Sequence, residues 1–127
     1  MSAGASSVAL VDDDVSVRVA LGRLLRLAGY AVIPFGSGAE FLTFLGVSHP
    51  DCLVLDVHMP VLSGFDVSSW MQAAGIRVPI VFITASDDAG LDVAVAEAKG
   101  VRLLRKPLSK QDLLGAVGAA LRSRGTA

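Results

Sequence analysis

The chain has almost none of the residues that fasten a fold through covalent or metal-thiolate bonds. Its one cysteine, Cys52, has no partner for an internal disulfide and sits inside the apolar run Cys52-Leu-Val-Leu. It reads as a small buried hydrophobe, and the natural setting is a reducing cytoplasm. The two histidines, His49 and His58, each lack a second histidine or cysteine at ligand spacing, which argues against zinc. No apolar run approaches the roughly 18 residues of a membrane helix. The longest, around residues 78–85, is strand length. The opening Met1-Ser-Ala-Gly-Ala-Ser-Ser lacks the basic start and apolar segment of a secretory signal. A basic excess is missing as well. Eleven Lys and Arg against 12 Asp and Glu give a formal charge of −1, which argues against nucleic acid as a direct partner.

Aliphatic residues are what the chain has in quantity. A hydrophobic fraction of 53% over 127 residues allows a large core in one domain. The expectation is a single domain over residues 1–127, with a core of about 7–122 and no output domain following.

Short apolar runs alternate with amphipathic stretches along the whole length. Strands are expected at 8–11, 31–34, 52–55, 80–83 and 101–105, and helices at 15–28, 39–45, 65–74, 89–99 and 110–122. In the first helix Val17, Leu21, Leu24, Leu25 and Ala28 keep the three-and-four spacing of a buried face. Gly29, Gly75 and Gly100 stand just past three helices, where a left-handed residue is wanted. Ser37-Gly-Ala-Glu40 reads as a capping box, and Ser109-Lys-Gln-Asp112 as a looser one. The helix at 65–74 has the most blurred face, because of Ser68, Ser69 and Trp70. Such alternation gives an α/β fold, a doubly wound five-stranded parallel sheet with helices on both faces.

In such a sheet, ligands sit beyond the carboxyl ends of the strands. Those ends carry Asp12-Asp13-Asp14 after the first strand, Asp56 after the third, Thr84 at the fourth and Lys106 at the fifth. Carboxylates gathered there repel one another, and a hard divalent cation with oxygen ligands is the simplest remedy, Mg²⁺ above all. Asp13 and Asp56 are candidates to bind it, with Asp12 acting directly or through a water. Asp56 could then attack an in-line phosphoryl group, while Thr84 and Lys106 contact its oxygens. Asp14, directly before Val15-Ser16, reads as a helix N-cap.

With those pieces in place, the chain resembles a receiver domain of the bacterial two-component response regulators over essentially its whole length. The matching pieces are Val8-Ala-Leu-Val-Asp-Asp-Asp14, Leu53-Val-Leu-Asp-Val-His-Met-Pro60 with Gly64, Val81-Phe-Ile-Thr-Ala85, and Arg105-Lys-Pro107. The resemblance implies a flavodoxin-like (βα)5 three-layer sandwich. It implies that Asp56 takes a phosphoryl group from a sensor histidine kinase or phosphotransfer protein. Mg²⁺ would be held by Asp13, Asp56 and the backbone carbonyl of His58, with Asp12 assisting through water. Thr84 and Lys106 would bind the phosphoryl group. A conformational switch would then control an output domain or a downstream protein, and a homodimer through the fourth helix and last strand is a further implication. The Lys106–Pro107 bond is often cis in relatives. One departure is Leu103, where the family commonly has a Tyr or Phe that couples to the threonine. Leu108 likewise replaces a frequent Phe.

Other readings compete. A haloacid-dehalogenase-type phosphatase also uses an Asp nucleophile with Mg²⁺, but it needs a second Asp where this chain has His58. A flavin carrier would not place three acids at its phosphate loop. A receiver-like interaction module that has lost phosphorylation would not need the full acidic, Thr and Lys set. The expectation is a phosphoacceptor with slow self-dephosphorylation, and not a dedicated enzyme.

Overall fold

The computed structural model describes residues 5–124. Ten elements alternate: β1 (Ser7–Val11), α1 (Val15–Leu27), β2 (Ala31–Phe35), α2 (Gly38–Leu45), β3 (Cys52–Asp56), α3 (Gly64–Ala73), β4 (Ile80–Thr84), α4 (Gly90–Glu97), β5 (Arg102–Arg105) and α5 (Lys110–Arg124). The strands form one parallel sheet in the order β2-β1-β3-β4-β5. The chain steps outward from β1 to β2, then crosses back to β3 on the other side. That reversal opens a crevice at the carboxyl ends of β1 and β3.

The period of two along each strand explains why both faces are covered. Ala9, Val11, Leu53, Leu55, Ile80 and Phe82 point to one side and pack with Phe41, Val67, Met71, Leu91 and Val95 from α2, α3 and α4. Val8, Leu10, Cys52, Val54, Val81 and Ile83 point to the other and meet Leu21, Leu25, Leu113, Ala116, Val117 and Ala120 from α1 and α5. Burial pushes the Cys52 thiol up to about 12, so it stays protonated and behaves as a packing residue.

The two sheet edges are dressed differently. On β2, Ala31 donates inward to Ser6 O, so by alternation the residue at 34 faces the open edge. That residue is Pro34, which has no N–H to offer there. The β5 edge carries Arg102 and Arg105.

Helix ends match the expected punctuation with three differences. Asp14 caps α1, accepting from Ser16 N and Val17 N. The reciprocal capping box forms at Ser63 and Asp66 on α3, where both bonds are present. At Ser37 the box is one-sided: Ser37 Oγ accepts from Glu40 N, while the Glu40 carboxylate turns to the Ser37 hydroxyl. Gly29 and Gly75 take positive φ as expected, but after α4 that role falls on Lys99 at φ 59 and not on Gly100. Gly100 is needed for another reason, since a Cβ there would lie 2.7 Å from the Phe82 ring and 2.8 Å from Val95.

The two glycines therefore separate cleanly. Gly100→Ala must displace fully buried Phe82 and is expected to lose about 1–3 kcal/mol. Gly115→Ala, exposed on α5 with nothing within 4 Å of its Cβ position, is expected to gain up to about 1 kcal/mol. Urea unfolding of the two variants checks both signs, and a neutral Gly100→Ala would contradict the packing described here.

Candidate functional site at the carboxyl ends of the strands

Strand register brings the candidate residues together. Asp56 closes β3 and pairs with Ile83, so Thr84 stands one step beyond it on β4. Thr84 pairs with Arg105, and Lys106 N donates to Thr84 O at 2.7 Å. Lys106 thus rises beside the crevice from the adjoining strand. The Lys106–Pro107 peptide is cis.

The acids sit at different depths. Asp12 is fully buried, Asp56 is 4% exposed and Asp13 faces solvent. One carboxylate oxygen from each of the three can be chosen so that all lie within 4.8 Å of one another. Against these stands one cation. The Lys106 ammonium lies 2.8 Å from Asp12 Oδ2 and 3.6 Å from Asp56 Oδ1. Asp12 Oδ2 is buried, and the Lys106 ammonium is its charged partner. The other oxygen, Oδ1, accepts from Asp14 N at 2.9 Å.

Charge balance decides the protonation of Asp56. Burial and the neighbouring Asp12 charge push its carboxyl up to about 7, with a smaller push from Asp13. The Lys106 charge and the His58 backbone N–H pull the other way and lose. For Lys106, burial alone would lower its pKa, but the Asp12 hydrogen bond and then the Asp56 and Asp12 charges outweigh it and hold it raised. With all three acids ionised, the single ammonium leaves the cluster two positive charges short of neutral, which fits a divalent cation with oxygen ligands.

Arg18 and Val61, near the site, were not singled out by sequence, and Gly64 was named there only as part of a motif. Arg18, one turn into α1, donates Nη1 to Asp12 O at 2.7 Å and pins the acidic loop. Gly64 packs against the main chain of β3 so tightly that a Cβ would collide with Asp56 O. Val61 takes φ 70 in a turn closed by Leu62 N donating to Pro60 O, and its side chain is almost wholly exposed. Gly64 had a signal in its fixed distance from Asp56. Arg18 and Val61 had none, because each depends on how a loop closes. Thr84 is fully buried, and its Oγ1 accepts from Ser86 N at 3.0 Å. The His58 side chain is exposed, while Leu103 is half-buried against the core.

A cleft of about 310 Å³ opens beside Asp13, walled by Ser37, Met59, Pro60 and Leu62. A larger one of about 930 Å³, with Ser68, Arg77 and Lys99, lies at the amino ends of β4 and β5, away from the acids. Among the described residues, no helix is long and apolar enough to cross a membrane.

Comparison with known proteins agrees with this geometry. The profile of the response regulator receiver domain family matches residues 8–118. The response regulator protein TodT of Pseudomonas putida is 39% identical over 122 residues, covering 96% of this chain and 54% of TodT. A response regulator receiver protein from Burkholderia phymatum superposes with a TM-score of 0.83 at 42% identity, covering 92% and 95% of the two chains. The crystal structure of FixJ-N gives a TM-score of 0.87 at 29% identity, covering 96% of each. The chain belongs to the response regulator receiver domain family, a family of two-component signal transducers. It spans about half the length of the curated relatives it matches.

The raised Asp56 pKa has a measurable sign. An unfolded Asp56 releases its proton near 3.8, whereas the folded one keeps it to about 7. Between those values the folded state binds the extra proton, so stability falls as pH rises through that window. Urea unfolding in a chelator from pH 4 to 7 is expected to show this decline, and Asp56→Asn is expected to flatten it. Identical slopes would remove Asp56 as its source.

Proposed function

We propose that Asp56 accepts a phosphoryl group from a phosphohistidine on a sensor histidine kinase or phosphotransfer protein. The observation that carries this reading is the Lys106 ammonium set between Asp12 and Asp56 at the mouth of a three-carboxylate cluster. A family receiver fold alone would leave the acceptor unspecified.

Asp13 and Asp56, with the backbone carbonyl of His58, would hold Mg²⁺, and Asp12 would assist directly or through water. Three carboxylate oxygens within 4.8 Å of one another, an all-oxygen donor set, fit that ion. When bound, it supplies charge neutralisation for the phosphoryl oxygens and for the crowded carboxylates. An Asp56 oxygen forms the new O–P bond as the donor's P–N bond breaks. The imidazole nitrogen leaves with the electron pair and takes up a proton from solvent. Lys106 can shift from Asp12 toward the incoming oxygens, since its ammonium already lies between two acids. The Thr84 hydroxyl would donate to another of them. The product is an acyl phosphate that the domain sheds slowly by hydrolysis, with no turnover of a separate substrate. His58 and Ser86, one on each flanking loop, are positioned to tune that lifetime.

The phosphorylated state would act on an output domain or a downstream protein, in the cytoplasm, by shifting the population of two arrangements of the loop after β4. Intact-mass measurement after acetyl phosphate and Mg²⁺ is expected to show one added phosphoryl group on the natural chain and none on Asp56→Asn. A group carried equally by both proteins would overturn the assignment. Because Asp56 must lose its proton to ligate a cation, Mg²⁺ affinity is expected to climb as pH rises through about 7. Calorimetric titration across pH 6–8 checks this, and a flat profile would detach the carboxyl from the metal.

A further inference from the structure

The loop between β4 and α4 is gripped from two sides. From within, Thr84 Oγ1 accepts from Ser86 N at 3.0 Å, Ser86 Oγ accepts from Asp88 N at 3.1 Å, and Asp88 Oδ1 accepts from Gly90 N at 2.9 Å. From outside, the Arg105 guanidinium donates Nη2 to Asp88 O at 3.0 Å and to Asp92 Oδ2 at 3.3 Å. Arg105 is also the cross-strand partner of Thr84 and the chain neighbour of Lys106. Both ends of the site therefore run into one loop.

Little else secures this segment. The α4 N-cap is Ala89, which makes no side-chain cap bond, and only Leu91 and Val95 of the helix are buried. Leu103, the β5 residue packed on the α4 side of the sheet, brings no polar group with which to reach the loop. Among the described residues, the polar link from β5 to this segment is Arg105 Nη2, which donates to a backbone carbonyl and a carboxylate.

We infer that Arg105 is a positioning residue that latches residues 86–92 in the arrangement seen here and so opposes the phosphoryl-bound form. This rests on the phosphoacceptor reading above. The Thr84 hydroxyl that turns toward a phosphoryl oxygen no longer faces Ser86 N, so the inner grip weakens. Ser86 and Asp88 are then free to follow only if the outer grip opens as well. The latch is exposed, and exposed charged pairs are individually weak. That weakness suits it to biasing an equilibrium without locking it.

The test uses beryllofluoride with saturating Mg²⁺ as the phosphoryl mimic, alongside amide hydrogen exchange of residues 86–92 without ligand. Arg105→Ala is expected to bind the mimic roughly two- to five-fold more tightly, the range of an exposed charged contact. Asp92→Asn should shift it less, because the Asp88 O bond survives, and Arg105→Lys should fall between Ala and the natural residue. Affinity for Mg²⁺ alone should not move in any of them. Exchange over residues 86–92 should quicken in Arg105→Ala. Unchanged exchange, or mimic affinity equal to the natural protein, overturns the latch. Failure of the natural protein to bind the mimic would instead overturn the phosphoacceptor reading, with the exchange comparison still deciding whether Arg105 holds the loop.

Discussion

Everything at the functional end of this molecule depends on placing three carboxylates and one ammonium where little water can screen them. In water such a group would cost little, but Asp12 and Asp56 are buried and Lys106 is largely enclosed. The sheet supplies the enclosure. Parallel strands cannot be joined by tight turns, so each returns through a helix, and both faces become apolar. Only the carboxyl ends remain for polar chemistry. Asp12, Asp56, Thr84 and Lys106 reach one crevice because the strand order reverses between β2 and β3.

A site so built is held in tension by its own charges. One ammonium cannot satisfy two buried acids and a third at the rim, and the protein answers by keeping a proton on Asp56 near neutrality. Most supporting contacts act on the backbone, and one backbone N–H takes a single Asp12 carboxylate oxygen. Arg18 holds the Asp12 carbonyl, Asp14 N holds Asp12 Oδ1, and Gly64 lets α3 start against β3. The carboxylates stay available because their scaffolding is made elsewhere.

Much of this was legible before any coordinates, and the reasons are physical. Alternation such as Val8-Ala-Leu-Val fixes which side chains face each layer, and the strand ends then name the chemistry. What sequence could not reach was anything set by loop closure or by a choice between neighbours. Lys99 takes the left-handed position expected at Gly100, while Gly100 is required by its closeness to Phe82 and Val95. Glu40 and Asp66 both stand third after a serine, yet only Asp66 completes the reciprocal cap. Arg105 appeared in the sequence only as part of a motif, and its bonds to Asp88 and Asp92 depend on how the loop after β4 closes. Leu103 was legible as a departure, and its place against the core gives that departure a shape.

Pro34 has a bearing on life in a crowded solution. An open parallel sheet ends in strands whose unused amides and carbonyls invite strands from other chains. Here the outer rim of β2 is broken at its fourth position by a ring that cannot donate, and the opposite rim bears the exposed guanidinium of Arg102. Molecules meeting edge to edge thus find a gap on one side and like charge on the other. That guards against runaway sheet growth while leaving the helical faces free for controlled association.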